Sequence, residues 1–125
     1  MKYLLDVNVL IGAIWRDQAA HVKTMRWLAE KEVVLCPLTE LGFLRISTNA
    51  KVIGASMNRA RELLQKFAED INAERISDDL IALESRPQKS EQVTDHYLGD
   101  LAAKHGIKLA TLDGQLNHPA AELIL

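Results

Sequence analysis

Short apolar runs, each halted by an acid or a proline and each followed by a helix-like stretch, most narrowly limit what this chain can fold into. Lys2-Tyr3-Leu4-Leu5 stops at Asp6, Val33-Val34-Leu35-Cys36 at Pro37, and Lys108-Leu109-Ala110-Thr111-Leu112 at Asp113. Runs of four or five residues rich in β-branched and leucine side chains read as buried strands. Between them the apolar residues recur at helical spacing. Residues 7–15 are mostly apolar and helical. A second helix is expected from a cap at Asp17 to about Glu32, with Val22, Met25 and Leu28 or Ala29 on one face. A third is expected over 38–48. After a loop at 49–55, Ser56 caps an amphipathic helix to residue 71 with Ala60, Leu63, Leu64, Phe67 and Ile71 inward. Residues 74–77 form a short strand, and 84–92 an exposed polar loop. A last helix runs to His105 and stops at Gly106, and residues 123–125 make a short edge strand. Strands alternating with helices predict an α/β sandwich of three layers, its central sheet mainly parallel and joined by right-handed crossovers.

The 125 residues suit one domain over 1–125, and 48% hydrophobic with 26% charged residues is the balance of a globular protein. No run approaches the roughly 18 apolar residues of a membrane span, and the opening residues are too soon acidic for a secretory signal. Four histidines and one cysteine do not make a zinc site of the usual Cys/His spacing. The lone Cys36 makes a reducing cytoplasm the expected location. A net charge of −2 argues against a broad basic surface for nucleic acid, so any such contact must be local or bridged by metal ions.

The strand and helix order has a chemical consequence. Asp6 and Asp113 directly follow strands, and Glu40 lies in the first turn after the second strand. Asp95 lies near the start of the last long helix. From there the chain advances about ten residues at about 1.5 Å each, and the next strand returns about five residues at about 3.3 Å each. All four acids are therefore expected at the carboxyl edge of the sheet, where open α/β folds bind ligands. Singly, each reads as a helix cap or a first-turn acid; the convergence is what signals a site. Clustered carboxylates repel unless neutralised. A hard divalent cation, Mg2+ or Mn2+, does this, and phosphodiester hydrolysis follows as the reaction class.

The same four stretches resemble the motifs of PIN-domain ribonucleases, particularly the VapC-type toxins of toxin–antitoxin pairs. They are Tyr3-Leu4-Leu5-Asp6-Val7-Asn8-Val9-Leu10-Ile11, Pro37-Leu38-Thr39-Glu40-Leu41-Gly42-Phe43-Leu44-Arg45, Val93-Thr94-Asp95-His96-Tyr97-Leu98 and Leu109-Ala110-Thr111-Leu112-Asp113. Their order and spacing match over nearly the whole chain. The resemblance implies a PIN-like fold, Mg2+- or Mn2+-dependent endoribonuclease activity, a cognate antitoxin and a homodimer. It makes Asp6, Glu40, Asp95 and Asp113 the catalytic quartet. Asp6 and Asp95 would hold the metal, with Glu40 and Asp113 reaching it directly or through water, and Asn8 and Thr111 would support them. After Asp113, Gly114, Gln115 and Asn117 stand where many relatives carry a further acid or polar ligand, which implies one tightly held ion and a second arriving with substrate.

The remaining candidates read more plainly. Helical position turns Asp100 and His96 outward into solvent and His105 inward to a structural role. Arg45 is expected on a face from which it reaches phosphate or makes an ordinary ion pair. Trp15 and Trp27 are expected in packing, Cys36 buried, and Arg16, Lys23, Lys51, Arg59 and Arg61 along a rim. Met25, Trp27 and Leu28 of one helix, with Ala60, Leu63, Leu64 and Phe67 of another, are expected either to form a groove for a partner's helix or to cover the sheet, the latter for about half of them. Two other functions compete: a housekeeping RNA-processing nuclease, and a non-catalytic receiver-like module. The latter lacks its usual lysine near Thr111 and has no counterpart of Glu40. Aspartyl phosphotransferases, another metal-dependent class, expect an aspartate where Asn8 stands.

Overall fold

A computed structural model describes residues 1–124; the end of the expected strand at 123–125, Leu125, lies outside them. The elements follow the chain as β1 (Lys2–Leu5), α1 (Val7–Ile14), α2 (His21–Leu28), β2 (Glu32–Leu35), α3 (Pro37–Thr48), α4 (Met57–Asp70), β3 (Glu74–Arg75), α5 (Val93–Lys104), β4 (Lys108–Thr111) and β5 (Ala121–Leu123). Two single 3-10 turns, Ala82–Glu84 and Ser90–Gln92, punctuate the long connection before α5. The five strands pair in the order β3-β2-β1-β4-β5, and every pairing is parallel.

Alternation along the strands divides the core in two. Tyr3, Leu5, Val33, Leu35 and Ala110 pack with α1 to α4 on one face. Leu4, Val34 and Leu109 pack with Leu98, Leu101 and Ala102 of α5 on the other. Burial on both faces is why the strands read as continuous apolar runs. The faces follow from topology. The chain steps outward from β1 to β2 to β3, then crosses back to β4 on the far side of β1. Crossovers of one hand moving in opposite directions fall on opposite faces. The strand order therefore reverses between β1 and β4, and a crevice opens beyond their carboxyl ends.

Several local readings are met. Ser56 caps α4 by accepting the Arg59 N–H at 3.1 Å, and Gly54 and Gly106 take positive φ of 74° and 70° in the loop after α3 and at the stop of α5. The expected cap at Asp17 is not made: α2 begins at His21 after Ala20, with no side-chain cap. A turn over residues 16–20 is needed to fold α2 back on α1, and the His21 ring meets the Gly12 carbonyl at 2.9 Å there. Its inward face is Thr24 and Leu28, while Val22 and Met25 are exposed. The groove expected between α2 and α4 is largely closed, because Leu28, Ala60, Leu64 and Phe67 all lie in the core. Trp15 and Trp27 pack as expected, Trp15 stacked on Phe43 and Trp27 edge-on to Tyr3.

Candidate functional site

Asp6 sits where β1 hands over to α1, and it is 2% exposed. One carboxylate oxygen accepts the Val7 N–H at 2.7 Å, capping α1. The other accepts the Thr111 hydroxyl at 2.8 Å, from the end of β4. Thr111 Oγ1 in turn accepts the Asp113 N–H at 3.1 Å and, at 3.4 Å, the Asn8 side-chain amide. Asn8 Oδ1 accepts the Leu112 N–H at 3.1 Å. Asn8 and Thr111 thus lace the ends of β1 and β4 across the crevice and fix the bearing of Asp6 and Asp113. A close approach of α3 supports this: a Cβ on Gly42 would lie 2.6 Å from a methyl of Val7.

The electrostatics show which acids meet. Burial, reinforced by the charge of Asp95, pushes the Asp6 carboxyl up to about 7, against the pull of the Thr111 and Val7 hydrogen bonds. Asp95, from the first turn of α5, is also raised by burial; the hydrogen bond it shares with Asp6 opposes this, and the charge of Asp113 adds to it. Asp6 is buried and Asp95 half-buried, and the charge of Asp95 makes ionisation of Asp6 costlier still. The structure therefore brings Asp6, Asp95 and Asp113 together. Glu40 stands at the same edge of the sheet, but its carboxylate is held in a fork by Arg75, at 3.1 Å and 3.3 Å. Arg75 ends β3, and nothing about a two-residue strand flagged it in the sequence. Arg45 is exposed and makes no such pair among the described residues.

The family model for the PIN domain matches residues 3–122. The chain belongs to the PIN-domain family. Among curated proteins it is 32% identical to ribonuclease VapC38 of Mycobacterium tuberculosis (strain ATCC 25618 / H37Rv), over 88% of this chain and 84% of that relative. It is likewise 32% identical to ribonuclease VapC39 of the same strain, over 97% of this chain and 95% of that relative. In fold it is similar to a solved structure titled as VapBC2 from Rickettsia felis bound to a DNA fragment from their promoter. That match has a TM-score of 0.62 at 16% identity, covering 92% of this chain and 90% of the other.

Beside the acids of this PIN domain lies a second polar cluster. Asp100 accepts from His118 Nε2 at 2.7 Å and lies 3.2 Å from His96 Nδ1. Ser85 Oγ is 3.0 Å from the same His96 nitrogen. His96 and Asp100 are thus half-buried and paired rather than free in solvent. A helical position reports only its own element, and here the segment after β4 folds over that flank of α5, its His118 ring packed against Gly99. Burial pushes the Asp100 carboxyl up, but the hydrogen bonds from His118 and Ser85 and the charge of His96 outweigh it and hold it below the ordinary value. Although these three residues present ligand atoms within 4.8 Å of one another, the ring of His118 is committed. Its Nδ1 accepts the Ala120 N–H at 3.0 Å, so Nε2 carries the proton, donates it to Asp100 and has no lone pair left for a metal. The cluster ties the segment bearing Asp113 to the helix bearing Asp95. His105, expected inward, instead pairs at the surface with Asp79 at 2.8 Å.

Proposed function

We propose that this PIN-domain protein is a Mg2+- or Mn2+-dependent endoribonuclease, the toxin of a toxin–antitoxin pair, working in the cytoplasm as a single-domain homodimer. The observation that carries the chemistry is the buried Asp6 in the crevice between β1 and β4, tied to Asp113 through Thr111 and facing the charge of Asp95. Similarity to VapC ribonucleases over most of the chain supports the substrate class and the toxin role. Among the described residues no helix is long and apolar enough to cross a membrane.

A hard divalent cation fits this donor set. Three carboxylates supply oxygen ligands, and a cation among them would offset the repulsion and burial that raise Asp6 and Asp95. Asp6 and Asp95 would hold the ion, with Asp113 and Glu40 directly or through water. When bound, it polarises phosphate and makes water more acidic. The chain's own part is geometric. Thr111 and Val7 fix the two oxygens of Asp6. Asn8 holds the turn after β4, and so sets the distance of Asp113 from Asp6. Arg75 restrains Glu40, and on its release from that pair would offer a forked cation to a phosphate.

The test is cleavage of single-stranded RNA in Mn2+ or Mg2+ against EDTA, using the wild type and the amide variants of Asp6, Glu40, Asp95 and Asp113. Cleavage should require the cation and be lost in each variant. Expression alone should arrest growth, and co-expression of a small protein encoded beside it should restore growth and silence the nuclease. A protein that cleaves RNA, harms no cell and meets no inhibitor is a housekeeping nuclease instead.

A further inference from the structure

A cavity of about 520 Å3 opens at the same sheet edge as the acids, on the α5 face. Leu38, Ala82, Leu83, Pro87, Val93 and Tyr97 supply its apolar walls, and Asp78, Ser85 and Thr94 its polar ones. It is continuous with the acidic site through the chain itself. Thr94 immediately precedes Asp95 in the first turn of α5, and Leu38 lies two residues before Glu40 in the first turn of α3. A substrate whose phosphate meets Asp95 has its neighbouring nucleotide beside this opening.

Which polar atoms remain available decides what the cavity can read. The Tyr97 hydroxyl donates to the Leu80 carbonyl at 2.7 Å, which pins the ring as a fixed flat wall. Ser85 is committed to His96 and Asp100. Thr94 makes no side-chain hydrogen bond among the described residues. The exposed Asp78 carboxylate meets the Cys36 thiol and lies near the Tyr97 hydroxyl but pairs with no basic side chain among the described residues, which leaves acceptor capacity facing the cavity. Leu83, 89% exposed, overhangs the rim with nothing packed on it. A pinned aromatic ring, aliphatic walls and one or two unspent polar groups are what a splayed, unpaired base needs: a stacking surface and a hydrogen-bonding edge.

Resting on the nuclease reading above, we propose that this cavity seats the unpaired base next to the scissile phosphate, and that Asp78 selects guanine there. A carboxylate accepts two parallel hydrogen bonds, and guanine's N1–H and N2–H2 are adjacent donors. Uracil offers a single donor between two carbonyl oxygens, which the carboxylate repels. Tyr97 and Leu83 hold the base by its faces, and Thr94 meets its ribose or edge.

The test sequences the ends of a randomised single-stranded RNA pool cut by the wild type in Mn2+. Guanine should be enriched at one fixed position beside the cut. Asp78→Asn should reduce that preference over uracil by at least about tenfold, the scale of a forked base contact. A flat wild-type profile, or an unchanged profile in Asp78→Asn, overturns the assignment while leaving the nuclease intact. No cleavage of any RNA would remove the nuclease reading itself. If Asp78→Asn does not fold, the wild type decides by NMR. Guanosine 5′-monophosphate should shift the signals of Val93, Thr94 and Tyr97 where uridine 5′-monophosphate does not, and equal or absent shifts overturn the proposal. If Leu83→Asp keeps the wild-type profile but escapes the antitoxin, the cavity is a protein-docking surface and the base assignment falls.

Discussion

Replacing Asp6 by asparagine should stabilise the cation-free protein while abolishing its activity. Asp6 is raised from 3.8 to about 7 by burial and by Asp95. At 1.36 kcal/mol per pH unit, holding it ionised above pH 7 costs about 4 kcal/mol relative to the unfolded chain. The folded value exceeds the unfolded one, so the native state binds the extra proton. Stability is therefore full below about pH 4 and is lost as pH rises through about 7. Asparagine carries no charge and escapes this loss. It also turns one acceptor into a donor, spoiling the hydrogen bond from Thr111 or from Val7 at about 1–3 kcal/mol. The net gain for Asp6→Asn at pH 8 is then about 1–3 kcal/mol, or roughly 3–10 °C in melting temperature for a domain of this size. Thermal melts in EDTA at pH 4 and pH 8 measure it. The wild type should drop between the two, and the variant should cross above it. Adding Mn2+ at about a hundred times its Kd should raise the wild type by about 2.7 kcal/mol and leave the variant unmoved. A variant less stable than the wild type at pH 8 in EDTA would show that Asp6 is favourably ionised, and the reasoning fails.

Arg75→Ala should change stability by less than about 1 kcal/mol in urea melts, since the Arg75 side chain is 54% exposed and surface pairs are worth little; a larger loss would make the pair structural. Gly42→Ala should cost about 1–3 kcal/mol, because the new methyl meets Val7 and the two helices must part; an unchanged urea midpoint would mean the contact yields freely. Asp100→Asn should lower stability by about 1.5–3 kcal/mol, as His118, 5% exposed at its side chain, loses a charge-assisted hydrogen bond. A neutral result there would restore the solvated reading of Asp100.

The layering was legible because strands buried on both faces leave unbroken apolar runs, and because Asp6 and Asp113 stop two of them. The meeting of Asp95 with Asp113 followed from counting residues up a helix and back along a strand. What escaped depended on neighbours that periodicity does not see. Helical position placed His96 and Asp100 outward, and so they are on α5 taken alone; His118, from a connection with no regular structure, covers them. Arg75 escaped because a two-residue strand leaves almost no pattern, yet its position at the sheet edge places it against Glu40. In α2 the apolar residues Val22 and Met25 suggested a buried face, but Thr24 takes that place against the close approach of α1 at Gly12.

The hydrogen bond from Thr111 to Asp6 joins residues 105 apart, and the Asp6 N–H is held by the Ala110 carbonyl from the same late strand. Synthesis delivers β1 first and β4 almost last, and pairing of such distant strands waits for both. Until then Asp6 has neither Thr111 nor Asp113, and Asp95 has no fixed neighbour across the crevice. A chain made only as far as the end of α5 therefore carries every helix but no assembled site. The acidic crevice is thus completed in one late step, when β4 docks beside β1 and brings Thr111 and Asp113 to Asp6 together.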